Sequence, residues 1–431
     1  MHRGKKKRDR TEQTRIPIEE DAGIDLSNDN CSETSGQSDT RSNQDEAAIE
    51  NETEKFEEKV MEVIDNLSAR SAAARASSFT ALHVALQRRF VGELLTNQRA
   101  TLADHVTRAL RRGRDAERRA AAALAPLLAL QIGEDGYEDF LAEVRPVLTA
   151  TAVDRSASIE TRTEVCSSLA VLCYLLEEDI TEIIEIMKMY ETIFSGSYLK
   201  GDGSVKVSGA AVEEGVLHAA ALDGWALLLA LLEAPLAAHT LRTGPPSLHR
   251  LADLLAAHSI EVRVAGGGAL CVAYEQVVAA GEAEGEAGSQ LLAAAEAARP
   301  RLQQLARESH KYRAKRDRKV QRATFRDILQ YFDEEEVEPM GVRVGAEQVW
   351  CSGWGARAAY GALAGALGGG LAALLPHAAP LRHALRLPRA PPQAAPRPPR
   401  LQRHLQNSAA SKARTLARNK SRDKRCVALA V

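Results

Sequence analysis

A leucine returns along this chain at Leu82, Leu124, Leu169, Leu222 and Leu270, at intervals of 42, 45, 53 and 48 residues, and an acid stands nine positions before four of them, at Asp115, Glu160, Glu213 and Glu261. Intervals of this size are those of HEAT and armadillo repeats, whose units are helical hairpins or triplets that bury their apolar stripes only against their neighbours. The clearest copies are "SIETRTEVCSSLAVL" from Ser158 and "SIEVRVAGGGALCVA" from Ser259. In each, a serine can cap the helix, a glutamate sits near its positive end, and a leucine follows an arginine by seven residues. Abundant Ala and Leu with few aromatics point the same way. The expected fold is therefore all-α, an armadillo/HEAT-like α-solenoid of helical repeats.

One hairpin can be read residue by residue. Val165, Leu169, Leu172, Cys173 and Leu176 share a helical face, "EEDITE" interrupts, and Asp179 with Glu182 forms a capping-box-like start for a second helix. Ile183, Ile184, Met187, Tyr190 and Phe194 make that helix's buried stripe, and the Gly-bearing "SGSYLKGDGSVKVSG" ends the unit as an exposed loop.

Charge divides the chain further. The net charge of −2 conceals two basic blocks: Lys311 to Arg326 holds eight basic residues against Asp317, and Lys412 to Arg425 holds seven against Asp423. Between Glu19 and Glu58, fourteen acids face only Arg41 and Lys55. The expected organisation is a disordered acidic, Ser-rich tail at 1–55, a helical repeat domain at 56–335 that ends in a basic helix, a poorly constrained Ala/Gly- and Pro-rich segment at 336–400, and a C-terminal basic helix at 401–431. The opening "RGKKKRDR" reads equally as a nuclear-localisation signal or a solvated basic end.

The sequence carries no nucleophile elbow, HExxH, Walker or Rossmann loop, kinase signature or paired carboxylates near a histidine, so no enzyme is expected. Gly266 to Gly268 lie inside a repeat helix, where close packing is the simpler account, and His83, His218 and His258 read as surface or satisfied core residues. Six cysteines without a CxxC pair read as reduced thiols, buried at Cys166 and Cys173, and neither metal nor cofactor nor small-molecule substrate is expected. No apolar run reaches the ~18 to 20 residues that span a bilayer, so the reading is a soluble protein of cytoplasm and nucleus.

The basic blocks carry the functional expectation. In "HKYRAKRDRKVQRATFRDILQYF" the second half shows an apolar stripe at Phe325, Ile328, Leu329 and Phe332, whereas the first is basic all round. That is the pattern of a helix docked at one end and projecting Lys311, Arg313, Lys315, Arg316, Arg318, Lys319, Arg322 and Arg326; a merely solvated face usually mixes both signs. In the terminal block, Ala409, Ala413, Leu416 and Ala417 form a narrow strip, with Lys412, Arg414, Arg418, Lys420, Arg422, Lys424 and Arg425 around the rest. No aromatic residue interleaves with it, so base stacking is not indicated, and phosphate neutralisation on a polyanion, structured RNA in the first place, is.

The two basic stretches, "SYLK" after a repeat helix and "RRAAAALAPLLALQIG" in the second repeat resemble the interferon-related developmental regulator family, over roughly Phe56 to Phe332 and Leu401 to Arg425. The resemblance implies an armadillo-like solenoid without catalytic activity that regulates gene expression in growth and differentiation. It implies two mechanisms: binding to ribosomes and their rRNA, with the C-terminal basic helix in an RNA-lined channel to silence translation, or transcriptional co-regulation through histone-deacetylase corepressor complexes. Between about Gly355 and Arg400 the chain departs from the family's pattern, with Ala/Gly and Pro runs in place of a mixed composition.

Overall fold

A computed structural model describes residues 52–205, 213–246, 248–281, 285–307, 315–334 and 338–388. Residues 1–51 of the expected disordered tail and the whole C-terminal basic helix lie outside the described residues, whereas residues 52–55, expected in that tail, begin a helix over 52–65. The rest is an all-α, solenoid-like stack with one small hairpin of strands. Its helices are α1 (Ala72–Arg88), α2 (Arg99–Arg112), α3 (Asp115–Ile132), α4 (Tyr137–Val153), α5 (Ile159–Leu176), α6 (Ile180–Phe194), α7 (Gly215–Leu231), α8 (Ala234–Thr243), α9 (Leu248–Asp253), α10 (Ile260–Ala279), α11 (Glu286–Arg307) and α12 (Lys315–Glu334).

The five leucine anchors fall one each on α1, α3, α5, α7 and α10, and all are fully buried. Those helices pack on one another in that order and form a continuous inner row. Helices α2, α4, α6 and α8 lie against that row on its outer side. Full burial of a leucine stabilises by ~1.5–3 kcal/mol, so each anchor ties its unit to the neighbours it packs against in the row.

The predicted helix starts are realised. Ser158 accepts from the Thr161 N–H at 3.2 Å and Ser259 from the Glu261 N–H at 3.2 Å. The acid of one unit reaches the next: the Asp115 carboxylate accepts the Ser158 N–H at 2.9 Å, and the Asp115 carbonyl accepts the Thr161 hydroxyl at 3.1 Å. Burial alone would raise the Asp115 carboxyl, but hydrogen bonds from Ser158 prevail and hold it below its ordinary value.

The second helix of the hairpin differs in detail. Asp179 caps α6 through the Thr181 N–H at 2.8 Å, while Glu182 turns outward to Arg145 at 3.4 Å and closes no box. Ile186 is buried where Ile184 was expected, a drift of half a turn around the face. Cys166, Cys173, Cys271 and Cys351 are buried free thiols, and burial raises the pKa of each.

Beyond α12 the structure corrects the sequence reading. Residues expected to form a poorly constrained bridge instead fold over 340–387. Met340–Val344 (β1) and Glu347–Cys351 (β2) pair antiparallel, with Val344 opposite Glu347, and Gly345 takes φ +60° in the two-residue turn. Helices α13 (Trp354–Leu367), α14 (Gly370–Leu374) and α15 (Ala379–Ala384) follow.

Helix α13 lies across α3, α5, α7 and α10, α14 sits on α1, and α15 sits on α5. Small residues make the approach possible: a Cβ on Gly355 would stand 3.1 Å from the Ala230 methyl, and one on Gly370 2.8 Å from Leu127 Cδ2. The Gln87 amide donates to the Leu367 carbonyl at 3.2 Å, and Phe90 stacks on His377 with centroids 4.2 Å apart. Within the module, buried Arg382 pairs with Glu347 and donates to the Pro388 carbonyl at 2.7 Å.

Candidate nucleic-acid interface

Helix α12 ends the repeat stack. Phe325 and Ile328 are fully buried, as the apolar stripe requires, while Leu329 and Phe332 are half-buried. Tyr331 takes a buried place that the stripe did not predict, 5.8 Å from the Tyr274 ring and 6.0 Å from Trp354. Helix α11 and helix α10 hold α12 in place. The glycines of α10 set the distance: a Cβ on Gly267 would stand 2.6 Å from Ile328 Cδ1 and one on Gly266 3.1 Å from Leu254 Cβ, so close packing accounts for two of the three glycines. Gly268 would meet nothing within 4 Å.

Six of the eight basic residues expected in this block, Lys315, Arg316, Arg318, Lys319, Arg322 and Arg326, lie on α12. Lys319 and Arg326 are exposed, and Arg322 is half-buried. Lys311 and Arg313 lie outside the described residues, as do Lys412, Arg414, Arg418, Lys420, Arg422, Lys424 and Arg425. The structure thus brings six candidates onto one helix and leaves the second block without a described position.

The charge order on α12 runs against the helix. Basic residues fill its N-terminal half, whereas Asp333 and Glu334 stand in its last turn, the reverse of what the macrodipole favours. Lys315 with Lys319, Arg318 with Arg322, and Arg322 with Arg326 are like-charge neighbours four residues apart, each destabilising by ~0.2–0.5 kcal/mol. The acids at the far end are occupied within the fold. Arg299 of α11 bridges Glu296 and Asp333, which raises its pKa further, and Gln330 donates to Glu334 at 2.9 Å. A helix selected only for its own stability would not carry this pattern.

Among the described residues, no helix is long and apolar enough to cross a membrane, and no group of three His, Cys, Asp or Glu could hold a metal ion. His218 is buried and bonded to the Ser197 hydroxyl at 2.7 Å, His258 is exposed, and half-buried His83 has its pKa lowered by burial. What the sequence missed is a groove along α13, whose acids come from three repeats, and a pair of glutamines, Gln131 and Gln276, that bond to main-chain carbonyls of neighbouring helices. No local pattern announces either.

Residues 30–333 match the family described as Interferon-related developmental regulator, and residues 385–426 match the Interferon-related protein conserved region. The second match contains the whole terminal basic block. The chain is 33% identical over 308 residues to Interferon-related developmental regulator 1 of Sus scrofa, covering 71% of this chain and 66% of that protein. It is 32% identical to the same regulator of Homo sapiens over 308 residues, again 71% and 66%, and 30% identical over 314 residues to Interferon-related developmental regulator 2 of Mus musculus, 73% and 69%. The match spans just under two thirds of the first of these relatives. With the repeat helices, the α12 motif and the terminal motif all falling inside the matched segments, the chain belongs to the interferon-related developmental regulator family.

Proposed function

We propose that this chain is a non-enzymatic regulator of gene expression that engages the phosphate backbone of structured RNA, in the first place ribosomal RNA, and represses translation while bound. The solenoid supplies a rigid mount, the basic half of α12 a phosphate contact, and the segment Lys412 to Arg425 the deeper insertion. The observation that carries this reading is the charge order of α12: three like-charge pairs and an inverted dipole complement weaken the helix and are explained by a polyanionic partner. Exposure of Lys319 and Arg326 on the side away from buried Phe325 and Ile328 supports it. Its place of action is cytoplasm and nucleus.

The test is sedimentation with ribosomes across a salt series, with and without RNase. Deleting residues 404–431 should weaken association and flatten the salt dependence by about 0.7 to 0.9 in log–log slope for each phosphate no longer neutralised. Unchanged sedimentation after the deletion would remove the tail from the mechanism. A second reading, recruitment of histone-deacetylase corepressor proteins in the nucleus, is favoured by the groove that α13 leaves open along the inner row, since solenoids bind partners on extended surfaces. Its signature is nuclease-resistant co-purification that survives neutralisation of both basic blocks.

A further inference from the structure

Helices α5, α7, α10, α12 and α13 enclose a groove of about 1020 Å³. Its walls are built of small residues, among them Ala219, Ala220, Gly268, Gly361 and Gly365, and a Cβ on any of the last three would meet nothing within 4 Å. Three carboxylates from three successive repeats line it: Glu164, Asp223 and Glu261. Among the described residues Arg357 is the sole cation in the lining, and its guanidinium is already bonded to the Glu338 carbonyl at 2.6 Å and lies over the Trp354 ring. Glu261 accepts the Ser259 hydroxyl at 2.6 Å, whereas Glu164 and Asp223 form no ion pair among the described residues.

A second observation points to an occupant. Gln321, 6% exposed, and Trp354, 8% exposed, both line the groove, and the Gln321 amide nitrogen and the Trp354 indole N–H have no hydrogen-bond partner among the described residues. Buried donors in native proteins are paired, so these two mark a wall of the groove whose polar groups are not all matched. An occupant that complements this lining presents a narrow face of small side chains and several cations.

One segment of this chain has that composition. In Ser408 to Arg425, Ala409, Ala413 and Ala417 recur at helical spacing, Ser408 and Ser411 bring hydroxyls, and seven cations surround them. The tether suffices. The described chain ends at Pro388, two residues beyond Arg386, which stands beside Tyr174 of α5. Thr163 in the groove is eleven residues back along the same helix, about 16 Å by helical rise. Nineteen residues separate Pro388 from Ser408, and a Pro-rich chain spans about 60 Å over that length.

We infer that the groove is the resting dock of the chain's own C-terminal basic segment, its alanine strip laid against Gly361 and Gly365 and its cations beside Glu164, Asp223 and Glu261. The consequence for activity rests on the RNA reading given above: the same cations serve the groove or a phosphate backbone, and RNA must displace the dock. Glu164 and Asp223 both have raised pKa values from enclosure, which a neighbouring cation would relieve.

The test uses the full chain. Carbodiimide, which joins carboxylates to lysines without a spacer, should link Lys412, Lys420 or Lys424 to Glu164, Asp223 or Glu261. Gly361→Leu with Gly365→Leu plugs the groove in open space and should abolish those links. Glu164→Gln with Asp223→Asn removes two of the three charges without filling the groove and should lower the yield of links to Glu261. If the segment is docked about four fifths of the time, the plugged protein should bind a fluorescein-labelled RNA hairpin about fivefold more tightly. Links abolished by plugging, with no RNA binding by either protein, leave the dock standing and sink the RNA reading. Absent links, with equal RNA affinity in wild type and plugged variant, sink the dock and leave the RNA reading intact. Links between isotopically distinct copies in a mixture would overturn the intramolecular dock in favour of a second copy's tail.

Discussion

The main-chain N–H of Gly355, in the first turn of α13, donates to the Glu275 carboxylate of α10 at 2.7 Å. This charge-assisted bond also places an acid at the positive end of α13 and so joins the C-terminal module to the repeat stack. Gly353, at φ +91°, completes the joint: a Cβ there would stand within 1.9 Å of a Glu275 oxygen. Glu275→Ala should cost about 2 kcal/mol, as expected when a hydrogen bond to a charged group is removed. Amide exchange should accelerate across Trp354–Leu367 and stay unchanged in α1. Equal exchange in α13 of the two proteins would show that the joint lies elsewhere.

Two glutamines, one buried and one half-buried, seal the ends of inner helices. Gln131 of α3, fully buried, accepts the Val91 N–H at 2.7 Å and donates to the carbonyls of Leu86 and Arg89 at 3.2 and 3.0 Å. Gln276 of α10 makes the donor half of this arrangement for α7, donating to the carbonyls of Leu229 at 3.0 Å and Leu232 at 3.4 Å. Gln131→Leu keeps the volume and strands three main-chain groups at about 1–3 kcal/mol each, so a loss of at least ~3 kcal/mol is expected in urea unfolding. The half-buried Gln276→Leu should cost less. A loss under ~1 kcal/mol for Gln131→Leu would mean that water replaces the side chain.

Adjacent glycines of α10 should respond with opposite signs. Gly268→Ala enters open space and gains helix propensity, raising stability by ~0.5–1 kcal/mol. Gly267→Val drives a branched side chain into Ile328 and should lower stability by ~1–3 kcal/mol while loosening α12. Thermal melts of the two variants should fall on either side of wild type. Two shifts of the same sign would contradict the packing of α12 on α10.

The repeat was legible because its signal is chemical and periodic. Leu82, Leu124, Leu169, Leu222 and Leu270 are fully buried, and Ser158 and Ser259 cap their helices. The module at 340–387 was not legible, because alanine and glycine give the same low-complexity pattern in a linker as in a helix pressed against a stack. What distinguishes them is the partner surface at Ala230 and Leu127, remote in sequence. The groove escaped for the same reason: Glu164, Asp223 and Glu261 are ordinary surface acids until the stack aligns them. Gln131 and Gln276 carry no pattern at all.

Asp223 makes stability depend on pH. Its carboxyl edge reaches solvent, yet the surrounding groove walls push its pKa up to about 7, from an ordinary value near 4. Between those values the folded protein holds a proton that the unfolded chain has released, so stability falls as pH rises through that window. Solvent at the exposed edge screens part of the effect. In chains that lack residues 404–431, so that no tail cation stands beside Asp223, Asp223→Asn should therefore melt close to its parent at about pH 4 and above it at about pH 8. His83, His105 and His377, whose pKa values are lowered by burial, tilt both proteins alike and cancel in the difference. A parent curve parallel to the variant's across that range would refute the assignment.

Reversing charge on α12 separates the helix's stability from its proposed task. Lys319 and Arg326 are exposed and form no ion pair among the described residues, so replacing both with glutamate breaks no salt bridge described within the fold. The double substitution converts the Lys315–Lys319 and Arg322–Arg326 repulsions into attractions of about 0.2–0.5 kcal/mol each. The melting temperature should hold or rise slightly. Ribosome co-sedimentation should fall, and its salt dependence should flatten by about 1.4 to 1.8 in slope if each side chain meets one phosphate. A surface serving only its own helix would show the reverse, a small stability change and undiminished binding. Retained co-sedimentation with an unaltered slope would therefore assign the basic half of α12 to solvent, and leave the terminal segment as the sole contact with RNA.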